Sequence, residues 1–153
     1  MSQLKPPKKP VPDWEQVRDE WVRAVEQLVT DVEAWCKAND WPTRRIEKHL
    51  DESKIGEYVV PALLVQVDLV KLMLEPAARF VTGADGIVDL YRMPQYDEAA
   101  RLLWRRGQWE YVANVTAEKL PPDQRPTDPF SDVVGLIGPL NAPTFADLVR
   151  FLA

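Results

Sequence analysis

The chain predicts an α+β fold: a long N-terminal amphipathic helix packed on an antiparallel meander sheet of about five strands, closed by a short C-terminal helix. Three observations carry that expectation. Apolar residues recur at steps of three and four from Trp14 to Trp35. From Tyr58 onward the texture changes to short runs of β-branched and apolar residues. The connections between those runs are too short for the crossover that a parallel pair requires.

The helix is predicted over residues 13–38. Asp13 stands as its N-cap with Gln16 three residues on as the second half of a capping box. Trp14, Val17, Trp21, Val25, Leu28, Val32 and Trp35 form one face, and Asn39-Asp40 with Pro42 ends it. Trp14, Trp21, Leu28 and Trp35 are seven apart, which also suits a coiled coil. Indole rings are large for a two-stranded seam, however, and Val25 and Val32 widen the stripe to suit a sheet. Glu33 and Lys37, four apart, are expected to pair on the solvent side.

Residues 43–50 alternate between two mostly polar sets, so an edge strand and a second short helix both remain open. Strands are predicted at Tyr58–Val67 and from Val70 to Leu74, with Asp68-Leu69 as the tight turn and Pro61 marking an edge or bulge. Glu75-Pro76 breaks the second run, and Asp85-Gly86 is a turn signal before the strand Ile87–Tyr91, which Pro94 stops. A further hairpin joins Ala100–Trp104 to Gln108–Val112 around Arg105-Arg106-Gly107. Residues 117–143 carry six prolines and read as irregular. Thr144-x-x-Asp147 then reads as a second capping box, with Phe145, Leu148, Val149 and Leu152 on one face of the terminal helix.

The 153 residues suffice for one domain with a full apolar core, and 46% hydrophobic with 28% charged residues is ordinary for a folded protein. Residues 1–12 hold four prolines and three lysines and are expected to be a disordered tail, leaving 13–153 as a single α+β domain. The net charge of −5 disfavours a general electrostatic grip on nucleic acid. No run reaches the length of a membrane span and the first twenty residues lack a signal-peptide core, so no membrane association is expected and the cytoplasm is the expected address. Cys36 is the sole cysteine and reads as a buried thiol.

Few side chains suggest chemistry. His49 is the sole histidine, lies in a polar stretch and has only Ser53 nearby as a nucleophile, without elbow glycines, so it reads as a solvated residue. Asp89 is the costly residue, a carboxylate between Val88 and Leu90, with Arg79 and Arg92 as available partners. Asp68, Glu75, Asp85 and Asp89 all fall in the predicted sheet, where a hairpin could bring two together around a divalent ion; Asp89 with Asp85 or Glu75 is the set considered. The segment Gly86-Ile-Val-Asp89 resembles the acidic strand of the restriction-endonuclease-like nucleases. That resemblance implies a second acid and a lysine, spaced Glu-x-Lys on the following strand, with the acids holding magnesium and the lysine supporting the nucleophile. Leu102-Leu103-Trp104 and Glu110-Tyr111-Val112 supply no such lysine. Gly83-x-x-Gly86 lacks the ending of a phosphate loop and precedes a strand.

Arg101, Trp104, Arg105, Arg106 and Trp109, with Tyr111, form the one cluster made of the right materials for stacking on nucleic acid or gripping a peptide. Trp104 and Trp109 equally suit a cross-strand pair that closes the hairpin. The expected function is a non-catalytic interaction or accessory domain without cofactor or resident metal. The alternatives are a metal-dependent phosphodiesterase built on Glu75, Asp85 and Asp89, and a binder built on the Trp104–Trp109 hairpin. A meander leaves two sheet edges. The Pro-rich segment before Thr144 is expected to cover one, with Pro61 and the charges of 43–50 blunting the other. A protein partner or a homodimer is therefore expected at an edge or at that hairpin.

Overall fold

The three- and four-residue apolar steps produce helix α1, Trp14–Ala38, in the computed structural model, which describes residues 11–94, 99–128 and 130–153. Most of the expected Pro/Lys tail therefore lies outside the described residues. Asp13 caps the helix by accepting from the Gln16 backbone N–H. The reciprocal half of the box is not made, because the Gln16 side chain donates to Glu20 one turn on, at 3.2 Å. At the other end Asp40 takes a left-handed φ of 59° and the Trp41 N–H returns to the Cys36 carbonyl at 2.9 Å, which terminates the helix.

Seven strands follow among the described residues, each hydrogen-bonded to its sequence neighbours in one antiparallel sheet: β1 (Thr43–Glu52), β2 (Gly56–Val67), β3 (Val70–Ala78), β4 (Gly86–Arg92), β5 (Ala99–Arg105), β6 (Gln108–Thr116) and β7 (Val133–Pro139). Helix α2, Ala142–Leu152, closes the chain. The meander and both helices agree with the sequence reading; the strand count does not, being seven rather than about five. One added strand is β1, the stretch left open between strand and helix. It reads as polar on both sides because it is an edge, and because Arg45 reaches across to Glu26 and Glu33 of α1. Glu33 is thereby taken from the pairing with Lys37 that the helix spacing suggested. The other is β7, inside the Pro-rich stretch taken as irregular. Pro139 ends that strand instead of forbidding it. The N-cap of α2 is Asn141, not Thr144: Asn141 Oδ1 accepts from the Thr144 N–H while Thr144 Oγ1 accepts from the Asn141 N–H.

The turns obey local chemistry. Asp68 bends the β2–β3 connection at φ 52°, and Arg106 and Gly107 have successive positive φ values of 51° and 76°, matching the twist of a two-residue hairpin. Pro61 lies in the part of β2 that has β1 but not β3 beside it, so its missing N–H breaks no ladder there. Side-chain alternation slips at this point. Tyr58 and Val60 face the main core, as do Leu63 and Val65, while Ala62 joins Met73 and Tyr91 on the opposite face. Pro76 marks a bulge against β4.

Both helices belong to one side of the sheet. Val25, Leu28, Val29 and Val32 of α1 and Phe145, Leu148 and Val149 of α2 share a buried cluster with Leu72, Leu74, Val88, Leu90 and Leu102. Trp21 is wholly buried, whereas Trp14 and Trp35 at the helix ends are half-buried. Among the described residues no α-helix lies over the far face of the sheet, where Glu75, Asp89 and Arg101 sit.

Candidate functional site

Alternation along β3 and β4 puts Glu75 directly opposite Asp89 on the far face. Two carboxylates side by side repel unless cations flank them. Lys48 Nζ lies 3.6 Å from Glu75 and Arg101 Nε lies 3.1 Å from Asp89, giving a row in the order cation, anion, anion, cation. The Tyr91 hydroxyl also meets Glu75, at 3.3 Å. The partner of Asp89 is therefore Arg101 rather than the Arg79 or Arg92 that the sequence offered. Arg79 donates to the Asp85 carbonyl at 2.6 Å, and Arg92 to the Ala153 carbonyl at 3.2 Å.

Asp85 does not join the pair. Its carboxylate accepts from the Arg106 N–H at 2.9 Å, tying the β3–β4 loop to the β5–β6 turn. Of the three residues considered for a metal, the fold unites Glu75 and Asp89 and separates Asp85. Among the described residues no group of three or more His, Cys, Asp or Glu side chains is placed to hold a metal ion. Titration with magnesium or manganese is expected to show no stoichiometric heat, since Lys48 and Arg101 already neutralise the pair. Tight binding that is lost on Asp89→Asn would instead promote the phosphodiesterase alternative.

The hairpin cluster is split by the same alternation. Trp104 and Trp109 are cross-strand partners with ring centroids 6.4 Å apart, and they face α1, where both lie against Trp21 at 5.6 and 6.0 Å. Tyr111 shares that face, while Arg101 and Arg105 point to the other; Arg105 is held by the Gly83 carbonyl and by Glu110. Arg106 sits exposed in the turn. The indoles and guanidiniums thus do not form one surface.

A hub that the sequence reading missed lies at the end of β1. The Glu52 carboxylate accepts from the Arg79 and Phe80 N–H groups, each at 3.1 Å, and from the Tyr58 hydroxyl, which itself accepts from Trp21 Nε1 at 3.1 Å. Its signal was available: Glu52 shares the parity of Leu50 and faces inward. Cys36 is fully buried, and burial, with the nearby Glu33 carboxylate adding, pushes its thiol up to about 12, so it holds its proton at neutral pH. His49 is exposed beside Glu47, as the sequence suggested.

The two sheet edges differ. β1 carries Arg44, Arg45, Glu47, Lys48, His49 and Asp51, the charged trim that discourages edge-to-edge pairing. β7, Val-Val-Gly-Leu-Ile-Gly-Pro, carries no charge, and its Val133 and Ile137 side chains are 56% and 67% exposed. The Pro-rich segment does not cover an edge, as the sequence suggested; it supplies one. The bonds Ala117 N–H to Asp132 O and Leu140 N–H to Trp109 O turn the even-numbered residues of this stretch toward β6. The backbone groups of Val133, Gly135 and Ile137 therefore face outward, where no strand among the described residues pairs with them.

Comparison of the chain with protein-family models, curated proteins and solved structures finds no match. No helix among the described residues is long and apolar enough to cross a membrane.

Proposed function

We propose that this chain is a non-catalytic protein-interaction domain that takes up its partner by strand addition at β7. The contrast between the two edges carries the reading: one is trimmed with charge along its length, while the other presents apolar side chains and outward backbone groups without a single charge. Strand addition uses such an edge directly, with main-chain hydrogen bonds providing affinity and alternate side chains providing selectivity. The sheet behind β7 is held by both helices, so the edge is a rigid template that loses little freedom on binding. The lone, buried Cys36 is compatible with the reducing cytoplasm as its compartment.

Peptides selected from a random library for binding to the protein test this. The selected sequences are expected to be extended and apolar, to slow amide hydrogen exchange at Val133, Gly135 and Ile137, and to lose at least tenfold in affinity on Ile137→Lys. Selected peptides whose affinity is untouched by Ile137→Lys would place the interaction elsewhere and overturn the reading.

A further inference from the structure

We infer that the partner at β7 is a second copy of the same chain, joined antiparallel about a two-fold axis through Gly135, so that two seven-stranded sheets become one; this rests on the strand-addition reading above. The inference comes from an account of the backbone donors along the edge. Odd-numbered residues face outward, and at the two ends of the run their donors are already removed. The Ser131 N–H is used by the Asp128 carbonyl at 3.2 Å, and Pro139 has none. The remaining outward donors belong to Val133, Gly135 and Ile137, a set symmetric about its central member.

An antiparallel copy centred on Gly135 sets Gly135 opposite Gly135 and Val133 opposite Ile137, and each outward N–H of these residues meets an outward carbonyl. The same register pairs the two exposed β-branched side chains of the edge with each other across the axis. Charge is compatible as well. Asp132 falls opposite Gly138, so no like charges face each other across the new ladder, which matters for a chain of net charge −5. In this register valine meets isoleucine and glycine meets glycine, with no charge on either side, so the edge is its own complement, as an isologous interface requires.

Gly135 has room for a side chain, since a Cβ there would meet only Asn114 Oδ1, at 3.7 Å. Opposed residues of a hydrogen-bonded pair lie about 5.5 Å apart at Cα, within the ~4.4–6.8 Å span of a disulfide. Gly135→Cys, oxidised with diamide, is therefore expected to give a covalent dimer with itself. Val133→Cys and Ile137→Cys are expected to link only when the two variants are mixed. Sedimentation of the wild-type protein at micromolar concentration is expected to show a dimer, and Ile137→Lys a monomer with an unchanged circular dichroism spectrum. A wild-type monomer throughout, with selected peptides still binding at β7, would overturn the second copy while leaving strand addition standing. A dimer indifferent to Ile137→Lys, a Gly135→Cys variant that stays monomeric, or self-linkage of Val133→Cys alone would each overturn the proposed register.

Discussion

Gly86→Ala is expected to destabilise the protein by about 3 kcal/mol, the upper part of the range for forcing an extra methyl into a packed core. A Cβ at Gly86 would lie 2.3 Å from a ring carbon of Trp21, and two further ring carbons lie within 3 Å. The ring cannot step aside. It is wholly buried, wedged against Trp104 and Trp109, and anchored through its Nε1–H to Tyr58. Gly86 also begins β4, whose backbone is fixed by pairing on both sides. Trp21→Ala alone is expected to cost about 3–5 kcal/mol. In that background Gly86→Ala should cost less than about 1 kcal/mol, because the atoms it collides with are gone. Urea denaturation of the four proteins of this cycle measures both figures. Equal costs for Gly86→Ala with and without the indole would show that the glycine serves the backbone rather than the ring.

Glu52→Ala is expected to cost about 2–4 kcal/mol, since it leaves the Arg79 and Phe80 N–H groups and the Tyr58 hydroxyl without their acceptor. The carboxylate joins three separate pieces of chain, the end of β1, the start of β2 and the loop after β3, so exchange protection should fall first in residues 79–85. Tyr58 adds a pH signature. Burial, then the bond to Glu52, raises its phenol above the ordinary tyrosine value, so the folded state holds that proton more tightly than the unfolded chain. The resulting stability is fully present below about pH 10 and is lost as the pH rises from there through the folded value. Tyr58→Phe should flatten the alkaline decline, and denaturation midpoints from pH 8 to 11 would reveal it. An identical decline in both proteins would assign it to other groups.

The parts of the fold that were legible are those where one residue type had one physical option. The steps from Trp14 to Trp35 admit only a one-sided helix, and Arg106-Gly107 supplies the left-handed backbone of a two-residue hairpin. β1 was ambiguous because the outward surface of an edge strand is solvated and Arg45 on its other side is satisfied by helix carboxylates, so neither face reads as apolar. β7 was hidden by neighbouring prolines. The run Val133-Val134 and Leu136-Ile137 around Gly135 was its signal, too short to stand out against that composition. For the candidate sites, the pairing of Glu75 with Asp89 could be anticipated from a hairpin, but the cations that hold them could not, because Lys48 and Arg101 come from β1 and β5. The cross-strand pairing of Trp104 with Trp109 was legible, whereas the arginines of that hairpin part from the indoles because residues adjacent in a strand lie on opposite faces of the sheet.

Strand order in space repeats strand order in sequence, yet the two helices that cover the inner face come from opposite ends of the chain and meet, with the Trp35 and Phe145 rings 5.6 Å apart. During synthesis the hairpins can therefore form one after another as they emerge, each needing only its predecessor. Part of their apolar face nevertheless has no cover until residues 142–152 have left the ribosome. The nascent chain passes through an interval in which β7, already made and uncharged, is exposed beside an incomplete core. That interval is when chaperone protection matters most for this sequence.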